Sequence, residues 1–217
     1  MRTMEYQEKR KRRGALKYRL KRRAKEVLKV VKKYRGTKIT SLLDIGCADG
    51  LILNLLSQGL AISLSVGIDS SRELLRTNAN PGIRMIQGQA ENLPFRNEEF
   101  EVIIATAVIE HLLQPTRMIK ECHRLLKRGG IFIITTPVPF WDKIARKTGL
   151  LKEKGHQKTF SLSALKALLT SQDFKILKAK KFMFSSIGFP FEEEIEKILY
   201  KLKSDFLLAN QIIVGSK

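Results

Sequence analysis

The chain has 217 residues, 43% of them hydrophobic, enough for the core of one domain and too many for global disorder. Its two cysteines exclude a disulfide framework, and its longest apolar runs, such as Val102–Ala105 and Ile131–Ile134, are far too short to span a bilayer. The formal net charge is +20, and it is uneven: sixteen Lys or Arg face only Glu5, Glu8 and Glu26 between Met1 and Arg35, which leaves +7 for the rest.

Residues 1–13 read as a polar arm. From about Arg12 to Tyr34 an apolar stripe of Leu16, Leu20, Ala24, Val27, Val31 and Tyr34 steps at three and four residues, the spacing of one helix face. Gly36 is a suitable stop. Residues 1–36 are therefore taken as a basic arm and amphipathic helix, and 37–217 as the main domain. Apolar strands are predicted at Ser41–Ile45, Ile62–Ile68, Ile83–Gln87, Glu101–Thr106, Gly130–Thr136, Phe174–Phe182 and Ala209–Gly215. Helices are predicted between them at Leu51–Gln58, Ser71–Ala79, Pro115–Leu126, Ser161–Ser171 and Phe191–Leu202. Such alternation predicts an α/β domain with a largely parallel sheet covered on both faces. The stretch 137–160, with Pro137, Pro139, Trp141, Gly149 and Gly155, reads as a lid-like substrate loop at a strand end.

The stretch L-L-D-I-G-C-A-D-G, Leu42 to Gly50, ends a strand in Gly46 and opens a helix near Gly50. Glycine at both places lets the backbone turn tightly and lets a ligand approach without meeting a Cβ. About twenty residues on, V-G-I-D ends the next strand in Asp69, where a carboxylate can accept from both hydroxyls of a ribose. The loop lacks the third glycine of a dinucleotide site. Asp44 and Asp49 flank it, which suits a ligand bearing an ammonium group better than a pyrophosphate.

Five stretches in order, L-L-D-I-G-C-A-D-G, V-G-I-D-S-S, Q-G-Q-A-E-N-L-P-F, E-V-I-I-A-T-A-V-I-E-H-L and L-L-K-R-G-G-I-F-I-I-T-T-P, resemble the motifs of class I S-adenosylmethionine-dependent methyltransferases. The chain is similar to the group containing the small-molecule and quinone methyltransferases, from about Ser41 to Thr136 and more loosely beyond. The resemblance implies a Rossmann-like three-layer sandwich with a seven-stranded, mostly parallel sheet and an antiparallel last strand. It implies S-adenosyl-L-methionine as cofactor, with Asp44, Gly46 and Gly50 around its amino-acid end. It also implies Asp69 at the ribose with Ser70 beside it, Gln89 and Ala90 at the adenine edge, and Thr106 near the methionine portion. Gln89 stands where the family commonly has Asp, and its amide oxygen can still accept from the adenine amino group. Glu101 replaces another common Asp, at what reads as a surface position of little consequence.

Each of these residues has a plainer use. Asp69 and Ser70 could cap the following helix. Asp44 could be a buried structural acid. Cys47 reads as a small filler. His111 and His156 are the candidate acid–base or substrate-positioning groups. The three histidines, His111, His123 and His156, lack metal-ligand spacing, and no metal is expected.

The acceptor is expected to be a small or lipid-linked molecule, methylated at oxygen or else at carbon. The aromatic run Phe182–Phe191 fits an apolar pocket or an anchor. The basic helix leaves an RNA methyltransferase open, and a non-catalytic nucleoside- or RNA-binding scaffold is the reading from another class. Residues 9–35 could bind RNA phosphates. They could lie on an anionic membrane with Leu16, Leu20, Val27 and Val31 dipped into it, or they could simply pack on the domain. The charged N-terminus without an apolar segment and the two thiols predict a cytoplasmic protein, with peripheral attachment to the inner membrane surface open.

Overall fold

The computed structural model describes residues 14–147, 157–185 and 187–217. A long helix, α1 (Gly14–Arg35), leads into β1 (Lys38–Ile45), α2 (Leu51–Ser57), β2 (Ala61–Asp69), the single turn α3 (Arg72–Leu75), β3 (Ile83–Gln87) and β4 (Phe100–Thr106). Then follow α4 (Pro115–Leu125), β5 (Leu126–Pro137), α5 (Pro139–Lys147), α6 (Leu162–Thr170), β6 (Lys175–Phe182), α7 (Glu192–Lys201) and β7 (Asn210–Ser216).

The seven strands form one sheet in the order β3-β2-β1-β4-β5-β7-β6. β1 to β5 run parallel, and β7 lies antiparallel between β5 and β6. The expected three-layer architecture and the antiparallel last strand are both present. On one face α1 and α2 pack through Val27, Val31, Leu53 and Leu56 against Leu42, Ile104 and Ile133. On the other, α4 and α6 pack through Met118, Ile119, Leu165 and Leu169 against Leu43, Ile103 and Phe132. Each such fully buried aliphatic side chain stabilises the fold by about 1.5–3 kcal/mol.

Two expectations need correction here, and the alternatives left open for the N-terminal helix are narrowed. The helix predicted at Ser71–Ala79 is only one turn. The Thr77 hydroxyl donates to Leu74 O at 2.7 Å, and Asn78 and Asn80 side chains bond the local backbone, so the chain turns out before Pro81. The lid-like stretch begins with the helix α5 rather than a loop, and Pro139 at its first position is pre-set for helical φ. The apolar stripe of α1 faces the sheet: Leu20, Ala24, Val27 and Val31 are buried, with Leu16 and Tyr34 packed against the same cluster. It therefore cannot dip into a membrane.

α1 is also tied to α7 by charge. Arg22 bonds Glu196 Oε1 at 2.6 Å and Glu26 Oε1 at 3.2 Å, with Glu192 Oε2 3.7 Å from its Nε, and all four side chains are buried. Glu26 also meets Lys180 of β6 at 2.8 Å. Lys25 and Lys29 both pair with Glu193. Part of the positive charge counted in the first 35 residues is thus consumed inside the fold.

Glu101 is likewise no idle surface acid. It is buried, and it takes the Arg35 guanidinium at 2.5 and 2.9 Å together with the Thr40 amide at 2.8 Å and hydroxyl at 2.9 Å. Burial acts to raise its pKa, but the Thr40 and Arg35 bonds outweigh that and hold it below the ordinary carboxylate value.

Candidate functional site

The sheet order reverses between β1 and β4, which opens a crevice beyond the carboxyl ends of these strands. The loop after β1 lies across it. Gly46 takes φ +68°, and its N–H and that of Cys47 both donate to Ile68 O, at 2.8 and 3.1 Å. A Cβ at Gly46 would lie 2.4 Å from Val108 Cγ2, so only glycine lets this loop sit against the loop after β4. Gly50 takes φ +75°, and Leu51 N at the start of α2 donates to Asp49 Oδ1 at 3.1 Å.

Asp69 ends β2 in the same crevice. Its Oδ2 accepts from Ala48 N at 2.9 Å and its Oδ1 from Ser71 N at 2.9 Å. One half-buried carboxylate thus ties the β1 loop to the β2 loop. A carboxylate oxygen accepts about two hydrogen bonds, so each retains a place for a ligand hydroxyl. The cap of α3 is Ser71, whose hydroxyl accepts from Leu74 N at 3.3 Å; the exposed Ser70 does not cap it. The carbonyl of Asp69 accepts from Gly88 N at 3.0 Å, which fastens the turn carrying Gln89 and Ala90 beside it.

The remaining candidates fall around this centre. Asp44 is fully buried within β1. Burial, then the carboxylates of Asp44 and Asp69, push the Cys47 thiol far up, which makes it a filler against Gly67 rather than a nucleophile. Thr106, the last residue of β4, is buried, and Ala107 N donates to Thr135 O at 2.8 Å. His111 closes a short 3-10 turn after β4 and is exposed. His156 lies outside the described residues. So the strand ends bearing Asp44, Asp69 and Thr106 and the segments after them that carry Gly46, Gly50, Ser70, Gln89, Ala90 and His111 share one end of the sheet.

Sequence reasoning passed over Glu110. Its buried carboxylate accepts from the Thr136 hydroxyl at 3.0 Å, and its backbone carbonyl accepts from Gln157 N and Lys158 N at 2.8 and 3.2 Å. It joins the ends of β4 and β5 to the chain returning from the lid-like stretch. The signal in the sequence was a lone acid closing the apolar run A-T-A-V-I-E-H-L.

These features define an open α/β domain with a glycine-lined crevice at its topological switch point. Comparison with known proteins shows what that class is similar to. The family profile described as "Methyltransferase domain" matches residues 43–134, the stretch that builds the crevice. An uncharacterized protein of Methanocaldococcus jannaschii is 29% identical over 64% of this chain and 67% of its own length. A 2-methyl-6-phytyl-1,4-hydroquinone methyltransferase of Oryza sativa is 32% identical over 52% of this chain but only 33% of its own length. The solved structure of YcgJ from Bacillus subtilis superposes with a TM-score of 0.66 at 20% identity, covering 88% of this chain and 98% of that one. Over residues 43–134 the chain is similar to the class I S-adenosylmethionine-dependent methyltransferases, and that likeness implies S-adenosyl-L-methionine as its cofactor.

Proposed function

We propose that this chain methylates a small or lipid-linked acceptor, at an oxygen in the first instance and at carbon as the alternative. The observation that carries the cofactor half of this reading is Asp69. Its two oxygens hold the backbone of two neighbouring loops and keep lone pairs for the paired hydroxyls of a ribose. Gly46 and Gly50 turn the backbone of the β1 loop at positive φ beside it, and the acid Asp44 is buried near the end of β1. Gln89 and Ala90 lie at the edge for the adenine, and Thr106 towards the methionine portion.

A sulfonium supplies an electrophilic methyl group, so the protein's task is to align and dry the accepting atom rather than to activate the donor. His111, exposed on the turn after β4, is the first candidate to orient an acceptor hydroxyl or to take its proton, and the buried Glu110 beside it braces that turn through Thr136. His156 is the second candidate for that proton on sequence grounds. The apolar character of the acceptor is supported by α5, which carries Phe140 and Trp141 directly beyond β5, and by the relative named for a phytyl hydroquinone.

The test is label transfer. The protein is incubated with methyl-labelled S-adenosylmethionine and an extract of its source cells, and RNA, protein, lipid and small-molecule fractions are counted. Label in the lipid or small-molecule fraction is expected. Label confined to RNA, or none in any fraction, would contradict the acceptor assignment.

A further inference from the structure

α7 is turned the wrong way round for a surface helix. Its apolar residues Phe191, Ile195, Ile198 and Leu202 step at four, three and four, the spacing of one face. That face points outward: Phe191 is 79%, Ile198 54% and Leu202 67% exposed, and Ile195 is half-buried. The buried face carries Glu192, Glu196 and Leu199.

The orientation is enforced. Arg22 holds both glutamates, Met183 N donates to Glu196 Oε1 at 2.8 Å, and Ser185 N donates to Glu192 Oε1 at 2.8 Å. Rotating α7 to hide the stripe would strand these buried charges.

The stripe does not stand alone. Phe206, 59% exposed, follows α7 after a short turn, and its carbonyl accepts from Trp141 Nε1 of α5 at 3.2 Å. Phe140 and Trp141 meet edge to face with ring centres 5.3 Å apart. Phe189, before α7, is exposed as well. Single exposed apolar side chains are ordinary, but an outward apolar helix face with further exposed aromatics directly before and after it in the chain is a candidate contact surface.

We propose that this face docks the enzyme on an anionic lipid bilayer, with the lid-side helix α5 at the lipid surface. Charge selects the occupant: Lys197, Lys201 and Lys203 are exposed among the apolar residues, while Glu193 is occupied by Lys25 and Lys29, with Glu194 left at the helix start. An apolar stripe edged by lysines is the interfacial pattern, and among the described residues no helix is long and apolar enough to cross the membrane instead. The proposal rests on the lipid-linked acceptor reading and gives it a route, since α5, bonded through Trp141 to Phe206, follows directly on the carboxyl end of β5. The surface differs from the one expected on the N-terminal helix, whose apolar stripe is in the core.

Trp141 is the only tryptophan, so the protein carries its own reporter. The full chain is mixed with vesicles of phosphatidylcholine containing phosphatidylglycerol. Co-sedimentation and a shift of Trp141 emission to shorter wavelength are expected. The double variant Ile198→Glu, Leu202→Glu should weaken vesicle binding tenfold or more. Its thermal unfolding and its S-adenosylmethionine affinity should be unchanged, because both side chains face solvent. Failure of the wild-type chain to bind, equal binding by the double variant, or a stable dimer that hides the stripe would each overturn the proposal. Vesicle binding is read without turnover, and label transfer without vesicles, so the two readings fail separately.

Discussion

The strand-end crevice and the flank between α1 and α7 both hold half-buried or buried carboxylates, and they use them in opposite ways. On the flank, Glu26, Glu192 and Glu196 are committed to Arg22, Lys29 and Lys180. Their charges are neutralised by side chains, and the result is a fixed helix orientation. In the crevice, Asp69 meets only backbone N–H groups, and its charge is left for whatever enters. The difference shows how a structural acid and a binding acid can be told apart within one fold. The first is matched by a cation of the chain itself, and the second is positioned by amides.

The comparison breaks most visibly at Arg22. Arg22→Ala leaves Glu192 and Glu196 buried without their cation and should destabilise the fold by about 3–5 kcal/mol in denaturant unfolding. The folded fraction should still bind S-adenosylmethionine normally, since no crevice residue touches that network.

A smaller effect is expected at Glu101, a structural acid at the foot of the same sheet. Its pKa is lowered in the folded chain, so its stabilisation is present above the unfolded carboxylate value near 4.5 and is lost as pH falls through the lower folded value. At neutral pH Glu101→Gln should cost about 1–3 kcal/mol through the bonds to Arg35 and Thr40. That deficit should shrink as pH drops below 4.5 in matched unfolding titrations. A deficit independent of pH would mean that the ion pair contributes nothing.

The sheet was legible in the sequence because buried parallel strands are short apolar runs, and Val102–Ala105 and Ile131–Ile134 are plain examples. The crevice was legible where residue type and a place at a strand end suffice, as for Gly46, Gly50 and Asp69, although the partners Val108 of Gly46 and Ala48 of Asp69 are distant in sequence. What only a distant partner decides was not. Glu101 reads as an ordinary surface acid because Arg35 is 66 positions away. The stripe of α1 has the same spacing whether it meets a sheet or a bilayer. The pattern of α7 says that it has two faces, but which one turns inward depends on Arg22, far along the chain, and on the amides of Met183 and Ser185. The turn at Thr77–Asn80 shows the opposite failure, where side-chain bonds to the local backbone ended a helix that apolar spacing alone would extend.

The measurement that bears most directly on the crevice is calorimetric titration of S-adenosylmethionine into the wild-type chain and into Asp69→Ala, with thermal unfolding of both as the control for folding. The wild-type chain should bind one equivalent, and the variant, still folded, should bind tenfold or more weakly, a loss of about 1.4 kcal/mol or greater. Equal affinity in a folded variant would contradict the assignment of Asp69 to the ribose, and with it the distinction between amide-held and cation-held acids on which the account stands.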